Sequence, residues 1–100
     1  MSRGWRRRRG RKGRPPKPVR LDRMPSLNRF IPDPQGVGNP IYIDPAELEA
    51  LRLVDLEGLS QEGAGERMGV SRGTVWRLLQ SARKKAAQAL TESRPLFISK

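Results

Sequence analysis

Between residues 71 and 84 the chain carries Ser71, Arg72, Gly73, Thr74, Trp76, Arg77, Gln80, Arg83 and Lys84, with Lys85 following. Guanidinium groups donate in a planar fork that fits a phosphate or the O6/N7 edge of guanine, and hydroxyl and amide side chains supply single partners between them. A second concentration, Arg6, Arg7, Arg8, Arg9, Arg11, Lys12, Gly13 and Arg14, offers cations on a flexible backbone. Neither set contains a nucleophile beside a base. The chain has no Cys and no His, which excludes disulfides, thiolate chemistry, zinc-finger ligation and imidazole catalysis. The Asp and Glu residues fall at helix caps and on helix faces, so the expected activity is binding and not catalysis, with no cofactor and no metal.

The charge balance names the class of ligand. Of 21 Lys+Arg, twelve lie in residues 1 to 30 against Asp22 alone, so that segment carries the whole net charge of +11. The remaining residues are neutral in sum, but acids dominate from Asp33 to Glu66 and bases from Arg67 onward. Such an excess favours a polyanion, and nucleic acid leads. No apolar run approaches the roughly 20 residues of a membrane span, and the Arg-rich start has no apolar segment after it. The expected location is cytoplasmic, with the nucleoid, and no membrane partner is expected.

These residues need elements to position them. Residues 1 to 20 are Arg, Gly and Pro with almost nothing apolar, and are expected to be a disordered arm. Residues 21 to 40 add Leu21, Met24, Leu27, Phe30 and Ile31 among prolines and glycines and predict an extended connector, with the folded domain at 41 to 98. Ile41-Tyr42-Ile43 and Leu96-Phe97-Ile98 are short strand candidates that could pair. Asp44, Pro45 and Glu47 predict a capped helix start. That helix should run to about Glu57, with Leu48, Ala50, Leu51, Leu53, Val54 and Leu56 packed on two sides, and stop at Gly58. Ser60 caps a second helix ending at Gly69, and Ser71 caps a third from Arg72 to about Leu90, with Thr91 as its exit. Helices joined by Gly69, Val70 and Ser71 alone must cross steeply, which predicts a helix-turn-helix in a mainly α, three-helix fold. Ala64, Met68, Val70, Val75, Leu78 and Leu79 should face inward, with Gly65 small at the crossing.

At this point the residues carry a resemblance. Leu51-Arg52-Leu53 through Leu56-Glu57-Gly58-Leu59-Ser60-Gln61-Glu62, Met68 to Val75, and Ser81-Ala82-Arg83-Lys84-Lys85 resemble region four of sigma factors, which reads promoter DNA with its last helix. The span from about Arg14 to Ile98 resembles a prokaryotic family of small, functionally uncharacterised proteins with a sigma-region-four-like helix-turn-helix. Members of that family open with a short Pro/Arg/Lys arm and end with a strand like Leu96 to Ile98. This chain has a longer arginine arm and lacks a Cys that some members carry. Gly63 and Gly65 stand where relatives have Glu and Ala; each glycine costs about 1 kcal/mol in a helix, which implies a second helix that is marginal until DNA is bound.

On the third helix Val75, Leu78, Leu79 and Ala82 form the inner stripe. Arg72, Gly73, Trp76, Arg77, Gln80 and Lys84 are left on the other side, where Arg72 and Arg77 are the expected base readers. Ser71 is a helix cap or a phosphate ligand. Trp76 packs beneath Leu27 and Phe30, the favoured reading, or lies over a thymine methyl or sugar. Arg83, Lys84 and Lys85 continue the basic surface toward phosphates. Small residues from Ala82 to Leu90 suit packing on the first helix or on a second subunit, and a homodimer on a two-fold site fits so small a domain. Lys12-Gly13-Arg14-Pro15 is similar to an AT-hook core, so the arm reads a minor groove or meets phosphates. The leading expectation is a transcriptional regulator on double-stranded DNA. The alternatives are an architectural or RNA-binding protein dominated by the arm, and a sigma-like module docking on RNA polymerase through the acidic stretch Asp44 to Glu66.

Overall fold

The computed structural model describes residues 19–21 and 29–99. Asp44 starts the first helix as its residue types require. Its Oδ1 accepts from the Glu47 N–H at 2.8 Å, Glu47 Oε1 accepts from the Asp44 N–H at 3.0 Å, and Pro45 occupies the first helical position. The helix α1 covers Pro45–Leu51 and continues without a break into a π-helical segment, Arg52–Leu56. There the Glu57 N–H reaches back to the Arg52 carbonyl at 2.9 Å and the Leu59 N–H to Leu53 at 3.0 Å, before Gly58, at φ 81°, ends the segment. The wider winding turns the apolar pattern away from its expected face. Leu53 is fully buried, whereas Leu56, expected inside, is 77% exposed.

Helix α2 is Gln61–Met68, capped by Ser60 Oγ on the Gly63 N–H at 2.9 Å and ended by Gly69 at φ 72°. Gly65 is buried where α2 meets the turn; a Cβ there would lie 2.7 Å from the Val70 carbonyl oxygen. Helix α3, Arg72–Glu92, begins on the Ser71 cap, whose Oγ accepts from the Thr74 N–H at 3.1 Å. It ends later than the expected Leu90. Thr91 donates its hydroxyl to the Ala87 carbonyl at 2.7 Å and so stays in the helix, and the left-handed stop is Ser93 at φ 52°.

Ala50, Leu53, Ala64, Met68 and Val75 form the core shared by the three helices, and Leu79 and Ala82 are equally buried along α3. Val70 and Leu78, expected inside, are half-buried and pack against it. Beside the helices lies a small sheet in the order β1-β3-β2, formed by β1 (Arg29–Phe30), β2 (Ile41–Ile43) and β3 (Leu96–Ile98). The expected pair is present, with β2 and β3 parallel and Tyr42 opposite Phe97, their rings edge-on at 5.6 Å. Strand β1, antiparallel to β3, makes three strands where two were expected. The segment between β1 and β2 is fastened to the end of α3: the Gly36 N–H donates to the Ser93 carbonyl at 2.8 Å, and Arg94 Nε donates to the Asn39 carbonyl at 2.7 Å. The molecule is mainly α with a small mixed sheet.

Candidate nucleic-acid interface

The outward face of α3 follows from its inner one. With Val75 and Leu79 fully buried, the helical period leaves Arg72, Gly73, Trp76, Arg77 and Gln80 exposed over the first turns. That first turn holds no acid, and it begins at a helix N-terminus, where the dipole is positive. Ser71 Oγ and Thr74 Oγ1 lie 3.0 Å apart, and Arg77 Nη2 donates to Thr74 Oγ1 at 3.4 Å, so the three side chains form one polar row. Ser71 serves as the cap. Gly73 is surrounded by open space, with only Ser71 Oγ within 4 Å of where a Cβ would stand, so the fold does not require a glycine there.

Trp76 does not pack as the favoured reading had it. It is 52% exposed, and Phe30 instead borders Ala86, Ala89 and Leu90, about three turns further along α3. Leu27 lies outside the described residues, as do Arg6, Arg7, Arg8, Arg9, Arg11, Lys12, Gly13 and Arg14.

Further along the helix the cations are engaged internally. Arg83 donates to both carboxylate oxygens of Asp55, from Nε at 3.0 Å and Nη2 at 2.7 Å. Those hydrogen bonds hold the Asp55 carboxyl below its usual pKa and the Arg83 guanidinium above its own. Lys85 Nζ donates to Glu47 Oε1 at 2.7 Å, and Ser81 Oγ donates to Glu47 Oε2. Burial alone would raise the Glu47 pKa; hydrogen bonds from Lys85, Ser81 and the Asp44 backbone, with the Lys85 charge, outweigh it and leave the carboxyl below its ordinary value. Lys84, between these paired residues, is exposed.

Arg20 was counted only as part of the arm, yet it is built into the domain. Its backbone N–H donates to the Met68 carbonyl at 2.8 Å, and its guanidinium donates to the Glu66 carbonyl. The signal in the sequence was slight: Val19 and Leu21 flank it as the first apolar pair after the arm, and both are half-buried. Among the described residues no group of acids could hold a metal ion, and no helix is long and apolar enough to cross a membrane.

A family described as "Protein of unknown function DUF134" matches residues 3–100. A UPF0251 protein of Thermococcus kodakarensis is 58% identical over 78 residues, which are 75% of this chain and 69% of that protein. One from Archaeoglobus fulgidus is 44% identical over 89 residues, 89% of this chain and 85% of its own. A bacterial relative, from Clostridium botulinum, is 42% identical over 88 residues, 86% of this chain and 56% of its own. No solved structure matches the chain.

Proposed function

The chain belongs to the DUF134 family of proteins of unknown function, and we propose that it binds double-stranded DNA as a transcriptional regulator, reading the major groove with α3. In this reading α2, the Gly69–Ser71 turn and α3 are a helix-turn-helix of the kind found in sigma region four. The observation that carries it is the face of α3 bearing Arg72, Trp76, Arg77 and Gln80, exposed together at the amino end of a 21-residue helix. A helix end of that kind enters the major groove with its first turns against base edges.

The roles follow from chemistry and position. Arg77 and Arg72 each offer a fork for guanine O6 and N7, and Gln80 can exchange paired hydrogen bonds with adenine. Trp76 presents an apolar face to a thymine methyl or a sugar. Ser71, Thr74 and Lys84 flank these groups and suit phosphate oxygens, which fix register without selecting sequence. Gly73, with free space around it, lets the helix approach closely. The arm, Arg6 to Arg9, Arg11, Lys12 and Arg14, adds counterion release on phosphates or in a narrow minor groove. No catalytic step is assigned to the chain.

The concentration of net charge in residues 1 to 30 supports a second reading, an architectural or RNA-binding protein in which the arm dominates. Selection from a random duplex library, with affinity compared at two salt concentrations, separates the two. An enriched motif whose preference survives higher salt is the outcome expected of α3. No enrichment, with affinity collapsing as salt rises, would hand binding to the arm.

A further inference from the structure

We propose that Arg20 is a positioning residue that pins the start of the basic arm to the α2–α3 turn, so that the arm is delivered to the same duplex as α3, immediately beside the bases α3 covers. This rests on the DNA-binding reading of α3. It adds to that reading a fixed point of departure for the arm, which charge content alone does not specify.

The pin is made of three contacts. The Arg20 N–H donates to the Met68 carbonyl at 2.8 Å, while Nη2 donates to the Glu66 carbonyl. Both acceptors belong to the last turn of α2, where carbonyls lack partners within the helix and a cation is favoured by the dipole. The guanidinium also lies over the turn itself, since a Cβ on Gly69 would stand 2.9 Å from Arg20 Nε. Val19, the preceding residue, packs against the core cluster of Ala50, Leu53, Ala64, Met68 and Val75. Backbone, guanidinium and the neighbouring apolar side chain therefore fix the same point.

That point is on the reading side of the domain. Arg20 borders one concave surface with Ser71, Arg72 and Thr74, the first residues of the proposed reader. The opposite end of α3, about 30 Å away, carries the sheet and the segment fastened to Ser93 and Arg94. The residues before Val19 hold nine Lys and Arg and no acid. A chain of that length spans at most about 60 Å when extended, so the place where it is tied decides which phosphates it meets. Tied at the turn, it meets those flanking the α3 site. Arg20 turns its guanidinium to the Glu66 carbonyl and the Gly69 turn, so its contribution is to place the other cations and not to bind phosphate itself.

Because the chain has no Cys, Gly10→Cys can carry an iron–EDTA cleaving group at a single site. The probe is a 40-base-pair duplex containing the sequence enriched from the random library. Strand cuts are expected within about one helical turn, some 10 base pairs, to one side of the bases protected by α3. Adding Arg20→Ala should spread the cuts over more than two turns while the α3 protection stays where it was. Arg20→Lys keeps the charge but offers a compact point donor, and its cuts should spread as well, which carries the test if the Ala variant loses helicity by circular dichroism. Cuts already scattered in the parent, or still confined in a folded Arg20 variant, overturn the pin and leave α3 reading intact. Absence of any α3 protection in the parent overturns the DNA reading, and the pin with it.

Discussion

The two halves of α3 use the same residue types for different ends. In the first, Arg72 and Arg77 are exposed, and among the described residues the hydrogen bond of Arg77 is a long one to Thr74. In the second, Arg83 is held by both oxygens of Asp55, and Lys85 by the carboxylate that also closes the α1 capping box. The acids responsible lie on α1, which packs against α3, and on its π-helical extension, from which Asp55 reaches Arg83. Cation density along a helix is thus a poor map of exposed charge: what separates the free cations from the architectural ones is whether a neighbouring element presents an acid. Glu47 is the centre of the architectural half, since it serves the start of α1 and ties Ser81 and Lys85 of α3 to it.

The largest expected effect tests that centre. Glu47→Ala removes the capping box and leaves Lys85 without its partner, and should cost about 2–4 kcal/mol in denaturant unfolding. Because the folded carboxyl titrates below its ordinary value, its stabilisation is complete above the unfolded pKa of about 4.5 and is lost as pH falls through the lower folded pKa. Glu47→Gln should flatten that acid limb of the stability profile, and an unchanged limb would assign the acid sensitivity elsewhere. Next in size, Arg77→Ala is expected to lower affinity for the enriched duplex about 10- to 100-fold, with stability moved by less than about 0.5 kcal/mol. Should it unfold the protein while sparing affinity, the division of α3 would be inverted.

Smaller effects sharpen the comparison. Gly63 is at a helix position where a Cβ would touch Ser60 Oγ at 3.3 Å and Leu59 at 3.6 Å, so Gly63→Ala should raise stability by about 0.5–1 kcal/mol if Ser60 yields slightly. A gain in unfolding midpoint with unchanged DNA affinity would show that α2 needs no ligand to form. The smallest change is expected from Arg83→Ala, whose exposed pair with Asp55 is weakly stabilising and screened by salt. Its melting temperature should fall slightly at low salt and not at all at high salt. An affinity loss equal to that of Arg77→Ala would instead mean that DNA displaces Asp55 and recruits Arg83.

The helix starts were legible because each is written locally. Asp44, Ser60 and Ser71 each stand three residues before the N–H they accept from, and Gly69 marks the left-handed turn. Ala64, Met68, Val75 and Leu79 were legible for the same reason, as periodicity with one dominant face. The π-helical segment was not, because the same residues fit an α-helical period, and only a one-residue widening of the hydrogen-bond ladder puts Leu56 outside. Strand β1 is two residues long, too short for any alternation, and exists because β3 has a free edge for it. Thr91 looked like an exit because nothing local showed that its hydroxyl would return to Ala87. Of the candidate interface, the exposed face of α3 could be read from its buried one. The capture of Arg83 could not, since Asp55 is 28 residues away and reaches it only through tertiary packing.

The order of the sheet has a bearing on the birth of the molecule. Strands β1 and β2 do not bond to one another; each pairs with β3, which lies between them. On the ribosome both must therefore wait, edges unpaired, until residues 96–98 have left the exit tunnel, well after the cationic residues 1–18 have emerged. Of the three strands β3 is made last and closes the sheet, so a chain cut short before residue 96 would leave β1 and β2 with no strand to pair with.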